Sequence, residues 1–493
     1  MKPTGSTPPG HQSPRDGGHG NGSAPAGQDH RQGGRGRRRR RGRRWRRGRD
    51  QAGPPGGGAA HPGGNAAPQG QGGAGDTLPA RERPEPAAAA STYETRGILE
   101  MTGDGGGFLR QPQRNYRPSP EDPYVPRELL APFAPSGPVA NGSGVEGIEI
   151  EGLATGRATG AVQEEVRGGG GRHHRGHEPQ HRRGGRGGPR VTEIRTINAL
   201  SPGEFAKRRP FSTLTSIDPF EHIRLETDPQ EVSTRVIDLL TPIGKGQRCL
   251  VVAPPRAGKT TLLQKIASAI SRNHPEIHLV VLLVDERPEE VTDMKRNVRG
   301  EVIASSSDEM ARQHVSIARI VLERARRLVE VGHDVVILLD SLTRLARAHN
   351  AATPGTGRTL SGGLDARTME QPRRLFGAAR KAEEGGSLTV IATALVDTGS
   401  RMDDVIFQEF KGTGNMELVL DRSLFEQRIY PAVDIARSGT RKEEKLFLKE
   451  DIPRIHRLRR ALFDMKPHDA MTKLIDKLSK FPSNAAFLKA IDA

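Results

Sequence analysis

The chain has one cysteine, Cys249, one tryptophan, Trp45, and four tyrosines in 493 residues. A single cysteine excludes an intramolecular disulfide framework and fits a reducing compartment. The longest apolar run, Leu279–Val284, is far short of the ~20 residues that span a membrane. The N-terminus has no apolar core of a signal peptide. The expected location is the cytoplasm, with no membrane partner. Hydrophobic residues make up only 33%, too few for a uniformly packed chain, but the shortage is local. From Met1 to Ala90 the large apolar residues are Met1, Trp45 and Leu78 alone, and so little buried surface cannot offset chain entropy. Residues 1–92 are predicted to form a disordered Gly/Pro/Arg-rich tail.

Positive charge is what the chain has in excess. Lys and Arg number 76 against 59 Asp and Glu, a net charge of +17. Twelve of the arginines fall between Arg31 and Arg49. Such a polycation binds phosphate backbones by counterion release, with steep salt dependence, and Trp45 inside it can stack on a base. The blander reading is a solvated tail. A second biased tract, about 156–190, mixes Gly and Arg with His173, His174, His177 and His181. Without a rigid helix or a cysteine these histidines fit an RNA-adhering insertion better than a metal site.

Between the two tracts, short strand-like runs broken by Gly and Pro (GILEM, GGGFLR, DPYVPRELL, VEGIEIEG) predict a small OB-fold or cold-shock-like β-barrel, assigned with the insertion to residues 93–200. Phe108, Tyr116 and Tyr124 with Arg110 and Arg114 have the composition of a base-stacking, phosphate-steering face. The same aromatics also suit a barrel core, and composition alone does not choose.

The strongest motif follows. CLVVAPPRAGKTTLLQKIASAI reads as a buried strand, a tight loop and an amphipathic helix, with Ala253 in the first-glycine position of a Walker A loop. Gly258 lets backbone amides approach phosphates, Lys259 reaches the β- and γ-oxygens, and the Thr260 hydroxyl ligates Mg²⁺. Two later strands end in acids. LVVLLVDERPEE carries Asp285, Glu286 and Arg287, and DVVILLDSLTRLA carries Asp340. At the C-terminal edge of a parallel sheet, Asp340 suits the acid that holds the Mg²⁺ shell and Glu286 the base that polarises water. A helix N-cap is the competing role for Asp340. Strand–helix alternation predicts an α/β sheet covered on both faces over residues 201–493, with helices at the C-terminus.

APPRAGKTTLLQ, VLLVDERPEEVTDM, VVILLDSLTRLARAHN, GGSLTVIATALVDTGSRMDDVIFQEFKGTGNMEL and SGTRKEE together resemble the bacterial Rho family of transcription termination factors, from about Ile194 to the C-terminus. The resemblance implies a RecA-like hexameric ATPase that uses ATP and Mg²⁺, travels along single-stranded RNA, unwinds RNA–DNA hybrids and acts on the RNA polymerase elongation complex. By it, Pro255, Arg256, Ala257, Gly258, Lys259, Thr260, Thr261 and Arg287 bind the nucleotide and Tyr430 stacks on adenine. Glu286 activates water, Asp340 is the Walker B acid, and Arg441 is an arginine finger for a neighbouring subunit. Arg428 reaches the γ-phosphate from that same neighbouring side. Two channel loops bind RNA, one at about 351–364 with Arg358 where many relatives carry lysine, the other at Lys411, Gly412, Thr413, Gly414 and Asn415. In the barrel, GDGGGFLR matches the primary RNA site through Phe108 and Arg110, joined by Asp122 and Tyr124. Gly106 stands there in place of a frequent aromatic. The competing functions are another RecA-like ring (a DNA helicase or rotary ATPase subunit) and a nonenzymatic RNA-binding or condensate-forming protein. An intact Glu286, Asp340 and Arg441 set argues against the last.

Overall fold

The computed structural model describes residues 91–134, 144–156, 188–353, 361–365 and 367–491. The arginine tract with Trp45, the histidine cluster and Arg358 lie outside the described residues. Five strands close a barrel: β1 (Thr92–Met101), β2 (Gly107–Arg110), β3 (Tyr124–Val125), β4 (Glu149–Thr155) and β5 (Arg190–Ile197), in the order β1-β2-β3-β5-β4. Alternation along β4 (Ile150, Gly152 and Ala154 in; Glu149, Glu151 and Leu153 partly out) turns one face onto a core of Leu99, Leu109, Val125, Ile148 and Ile150. β4 and β5 pair with each other although the Gly/Arg/His tract separates them in sequence.

After β6 (Ser216–Ile217) the chain builds a second sheet from β7 (Arg248–Ala253), β8 (His278–Glu286), β9 (Glu301–Ser306), β10 (Asp334–Asp340), β11 (Arg380–Ala382), β12 (Ser387–Leu395), β13 (Met416–Val419) and β14 (Gly439–Thr440). The order is β14-β13-β7-β12-β10-β8-β9, and from β13 to β9 every pairing is parallel. Parallel strands are buried on both faces, which explains unbroken apolar runs such as LVVLLV. Within β7, Cys249, Val251 and Ala253 face one core and Leu250 and Val252 the other. Helices Lys259–Asn273 and Val232–Leu240 and the C-terminal helices contribute to the first core, and helices Ala311–Glu330 and Leu342–Ala352 to the second. Among the described residues no helix is long and apolar enough to cross a membrane.

The barrel is fixed to the sheet domain through helix Ala311–Glu330. Tyr116 is 1% exposed; its hydroxyl donates to Glu301 and accepts from Arg324 at 2.8 Å. Tyr116 therefore belongs to the interdomain contact and not to an RNA-stacking face, because its ring has no exposed surface to offer. Burial pushes its hydroxyl far above the usual tyrosine range, so it stays a neutral donor. Gly147 permits the close approach: its φ is +84°, and a Cβ there would stand 2.3 Å from the backbone nitrogen of Arg324. Gly147→Ala is expected to cost about 2 kcal/mol or more, read as a lowered thermal midpoint. An unchanged midpoint would show that the contact contributes nothing to stability.

Candidate functional site

β7 ends at Ala253, and the loop that follows turns into helix Lys259–Asn273 through Gly258, whose φ of +83° favours glycine. That conformation aims the first amides of the helix at the loop's hollow, an anion-binding arrangement. Lys259 is the first helical residue. Its Nζ lies 2.5 Å from Asp340 Oδ1 and 3.7 Å from Glu286 Oε2. Both acids are at strand C-termini, Asp340 on β10 and Glu286 on the adjacent β8. Asp340 is not a helix cap: Ser341 fills that role, its hydroxyl accepting from the Arg344 amide at 3.2 Å. Thr393 Oγ1 donates to Asp340 Oδ1 at 2.8 Å. The Thr260 hydroxyl donates to Glu290 at 3.1 Å.

Glu286 is 3% exposed. Burial raises its pKa, the adjacent Lys259 opposes the rise, and Asp340 adds to it. Arg344 braces the strand end, donating to the Asp285 carbonyl with its second arm 3.5 Å from Glu286 Oε1. Neither Glu286 Oε2 nor Asp340 Oδ2, both buried, has a hydrogen-bond partner. Two unfilled acceptors beside a lysine and a threonine hydroxyl fit a hydrated Mg²⁺–triphosphate, which carries water donors and takes oxygen ligands.

Beside the loop is a cavity of about 330 Å³ lined by Ala257, Gly258, Thr261, Phe425 and Tyr430. Phe425 and Tyr430 meet edge to face at 5.4 Å, and Tyr430 is 44% exposed, a wall that accepts a flat base. Pro255, Arg256, Thr261 and Arg287 are exposed and Ala257 is buried; of these, Thr261 and Ala257 line the cavity. The Arg428 guanidinium lies 3.4 Å from the Tyr430 hydroxyl of its own chain. Arg428 follows β13 at the same sheet edge as the P-loop, Leu420 bonding to Val252.

Arg441 is elsewhere. Its amide donates to the Asn415 carbonyl at 2.8 Å, and Asn415 in turn bonds to Arg248, the first residue of β7. The P-loop leaves the other end of that strand, about 20 Å away at 3.3 Å per residue. Lys411, Gly412, Thr413 and Gly414 also lie at the Arg441 end, following helix Arg401–Lys411. The described end of the other loop, Ser361–Leu364, leans on the start of that helix: a Cβ on Gly362 would lie 2.9 Å from the Met402 amide. The helix therefore separates the two loops by its length, about 16 Å.

On the barrel, β2 and β3 set Phe108 opposite Tyr124, ring centroids 5.3 Å apart at 65°. The Tyr124 hydroxyl donates to Asp104 at 2.9 Å, and its ring crosses Gly106, where a Cβ would stand 2.1 Å from the tyrosine oxygen. A side chain at Gly106 would displace this ring. Arg110 sits 5.1 Å from the Phe108 centroid and pairs at 2.6 Å with both Glu100 and Asp122. Asp122 Oδ1 is buried and lacks a hydrogen-bond partner.

Residues 95–134 match the family described as "Rho termination factor, RNA-binding domain", and residues 233–440 the "ATP synthase alpha/beta family, nucleotide-binding domain". A transcription termination factor Rho of Aquifex aeolicus is 50% identical over 402 residues, covering 81% of this chain and 84% of that protein. The chain belongs to the Rho family of transcription termination factors. The Rho of Cereibacter sphaeroides is 48% identical over 80% of this chain and 86% of its own length. As a Rho-family protein the chain pairs an RNA-binding barrel with a RecA-like, ATP-hydrolysing sheet domain.

Phe425, Thr393 and Arg344 are site residues that sequence reasoning missed. Phe425 had a signal, an aromatic five residues before Tyr430; the other two depend on strand neighbours that no local pattern reveals. Since the raised pKa of Glu286 means its basic form is lost as pH falls through that value, kcat/KM for ATP is expected to decline on an acid limb above the ordinary glutamate value of 4.5. A limb at or below 4.5 would remove Glu286 as the base.

Proposed function

We propose that the chain works as a homohexamer in the cytoplasm, hydrolysing ATP with Mg²⁺ to pull single-stranded RNA and release transcripts from RNA polymerase. On this reading the nucleotide lies on the amides around Gly258 with its base against Tyr430 and Phe425, and Lys259 exchanges Asp340 for the β- and γ-phosphate oxygens. Thr260 and Asp340 would hold Mg²⁺, which neutralises phosphate charge. Glu286 Oε2 accepts the proton of the attacking water. Phosphoryl transfer needs little more from a protein than positioning and charge stabilisation, and these residues supply both.

One observation carries the assembly. Arg441 is at the opposite end of β7 from its own P-loop, too far to touch a phosphate there. A finger at that position serves another chain's pocket, and an arginine supplied in trans contributes ~10³–10⁵ in rate. Because Lys411–Asn415 shares that end, closure of an interface on Arg441 also moves an RNA-facing loop, which couples hydrolysis to pulling. Arg358 and the rest of the 351–364 loop are assigned to the same channel. On the barrel, Phe108 and Tyr124 stack bases, and Arg110, ion-paired with Asp122 beside the Phe108 ring, completes the RNA-binding set.

The test is subunit mixing. Lys259→Ala and Arg441→Ala chains are each expected to be nearly inactive in RNA-stimulated ATPase assays. Mixed before assembly, they are expected to regain a fraction of wild-type activity, since some interfaces then join an intact P-loop to an intact finger. No recovery in verified mixed assemblies would exclude a finger acting in trans.

A further inference from the structure

At the N-terminal edge of the sheet, remote from the P-loop, is a polar cavity of about 460 Å³ lined by Arg248, Arg380, Asn415, Asp218 and Lys445. Its two arginines are half-buried. Arg248 spends its N–H groups on carbonyls, Thr413 at 2.9 Å and Ala379 at 3.1 Å. Arg380 donates to the Ala378 carbonyl at 3.2 Å and lies 4.5 Å over the Phe211 ring. Neither has a carboxylate partner among the described residues. The one acid in the lining, Asp218, is already committed to Lys442 at 2.8 Å and Lys445 at 2.6 Å, which hold its pKa down to about 2.

This arrangement differs from other buried arginines of the chain that find carboxylates: Arg110 has Glu100 and Asp122, Arg208 and Arg327 share Glu330. Burial lowers the pKa of both Arg248 and Arg380; Arg326 and Arg248 lower Arg380 further, and Arg441 lowers Arg248. A guanidinium nevertheless stays charged, so two like charges are held together in a partly desolvated hollow without a free counter-ion among the described residues. Such a hollow is costly empty and favourable when an anion enters. The planar forks of arginine match phosphate oxygens in pairs, and Lys445 adds charge at the rim.

We propose that this cavity is a phosphate-binding site formed by Arg380 and Arg248, separate from the chain's own P-loop. Through the bond from Arg248 to Thr413 an occupant would be linked directly to the Lys411–Asn415 loop. The phosphate group is either one from an RNA backbone or one from a free oligophosphate, and the two sources share this chemistry.

The test uses the assembled full-length protein with its P-loops saturated by Mg²⁺ and a nonhydrolysable ATP analogue, comparing wild type with Arg380→Gln. The basic tail is present in both and cancels. Inorganic tripolyphosphate is titrated by calorimetry, and the salt dependence of single-stranded RNA binding is measured in parallel. If the site takes free oligophosphate, the variant loses one tripolyphosphate site per subunit or binds there about tenfold more weakly. If it takes RNA backbone, the slope of log K against log salt becomes shallower by about 0.7 for each phosphate that is no longer neutralised. Identical behaviour of the two proteins in both assays overturns the proposal, including the case in which a neighbouring subunit's carboxylate fills the cavity. Binding of the ATP analogue and the thermal midpoint verify folding; should the glutamine chain not fold, Arg380→Lys, which keeps the charge but not the fork, is expected to weaken tripolyphosphate or RNA binding while leaving the salt slope at its wild-type value, and wild-type affinity for both ligands overturns the proposal.

Discussion

Two carboxylates buried beside one lysine set the terms for the rest of the molecule. Glu286 and Asp340 end adjacent parallel strands, and Lys259 lies within ion-pair distance of both. Removing these charges from water costs several kcal/mol per ion. Lys259, Arg344 and Thr393 offset part of that cost, and two acceptor oxygens stay unfilled. The cluster is therefore held by a rigid sheet with acceptors left open, an arrangement that on the proposed function the bound nucleotide completes. Loose strands could not keep these groups together, which is why the unbroken apolar runs of β7, β8, β10 and β12 matter to chemistry as well as to folding.

The sheet's polarity does the remaining work. Every central strand runs the same way, so the C-terminal edge collects the nucleotide residues and the N-terminal edge collects Arg248, Arg380, Arg441 and the Lys411–Asn415 loop. One chain thus carries its P-loop and Arg441 at opposite edges of the sheet, and on the proposed function these are two halves of a catalytic pocket that a single chain cannot bring together. The barrel is tied to the same body through Tyr116, Glu301 and Arg324, so the RNA-binding domain and the ATP-hydrolysing domain are packed against each other.

Much of this is legible in the sequence because strand burial, a Walker loop and acids at strand ends leave local marks. Lys259, Glu286 and Asp340 carry such marks, and the short strands of the barrel do as well. The features that escape sequence reasoning depend on tertiary neighbours. Tyr116 has the composition of a stacking aromatic, but only the packing of helix Ala311–Glu330 reveals that it is buried. Arg428 and Arg441 are 13 residues apart in one segment, and nothing in the spacing shows that the chain crosses from one sheet edge to the other between them. Gly106 reads as a missing aromatic in the sequence, whereas in the structure the Tyr124 ring lies across it.

The central claim, that a lone subunit cannot complete its own pocket, is tested most directly by ATP turnover per subunit at saturating RNA, measured across a dilution series that passes from assembled protein to isolated chains, with assembly state followed by light scattering. The account predicts that the rate per subunit collapses as the assembly dissociates. A rate per subunit that holds constant down to the monomer would contradict it.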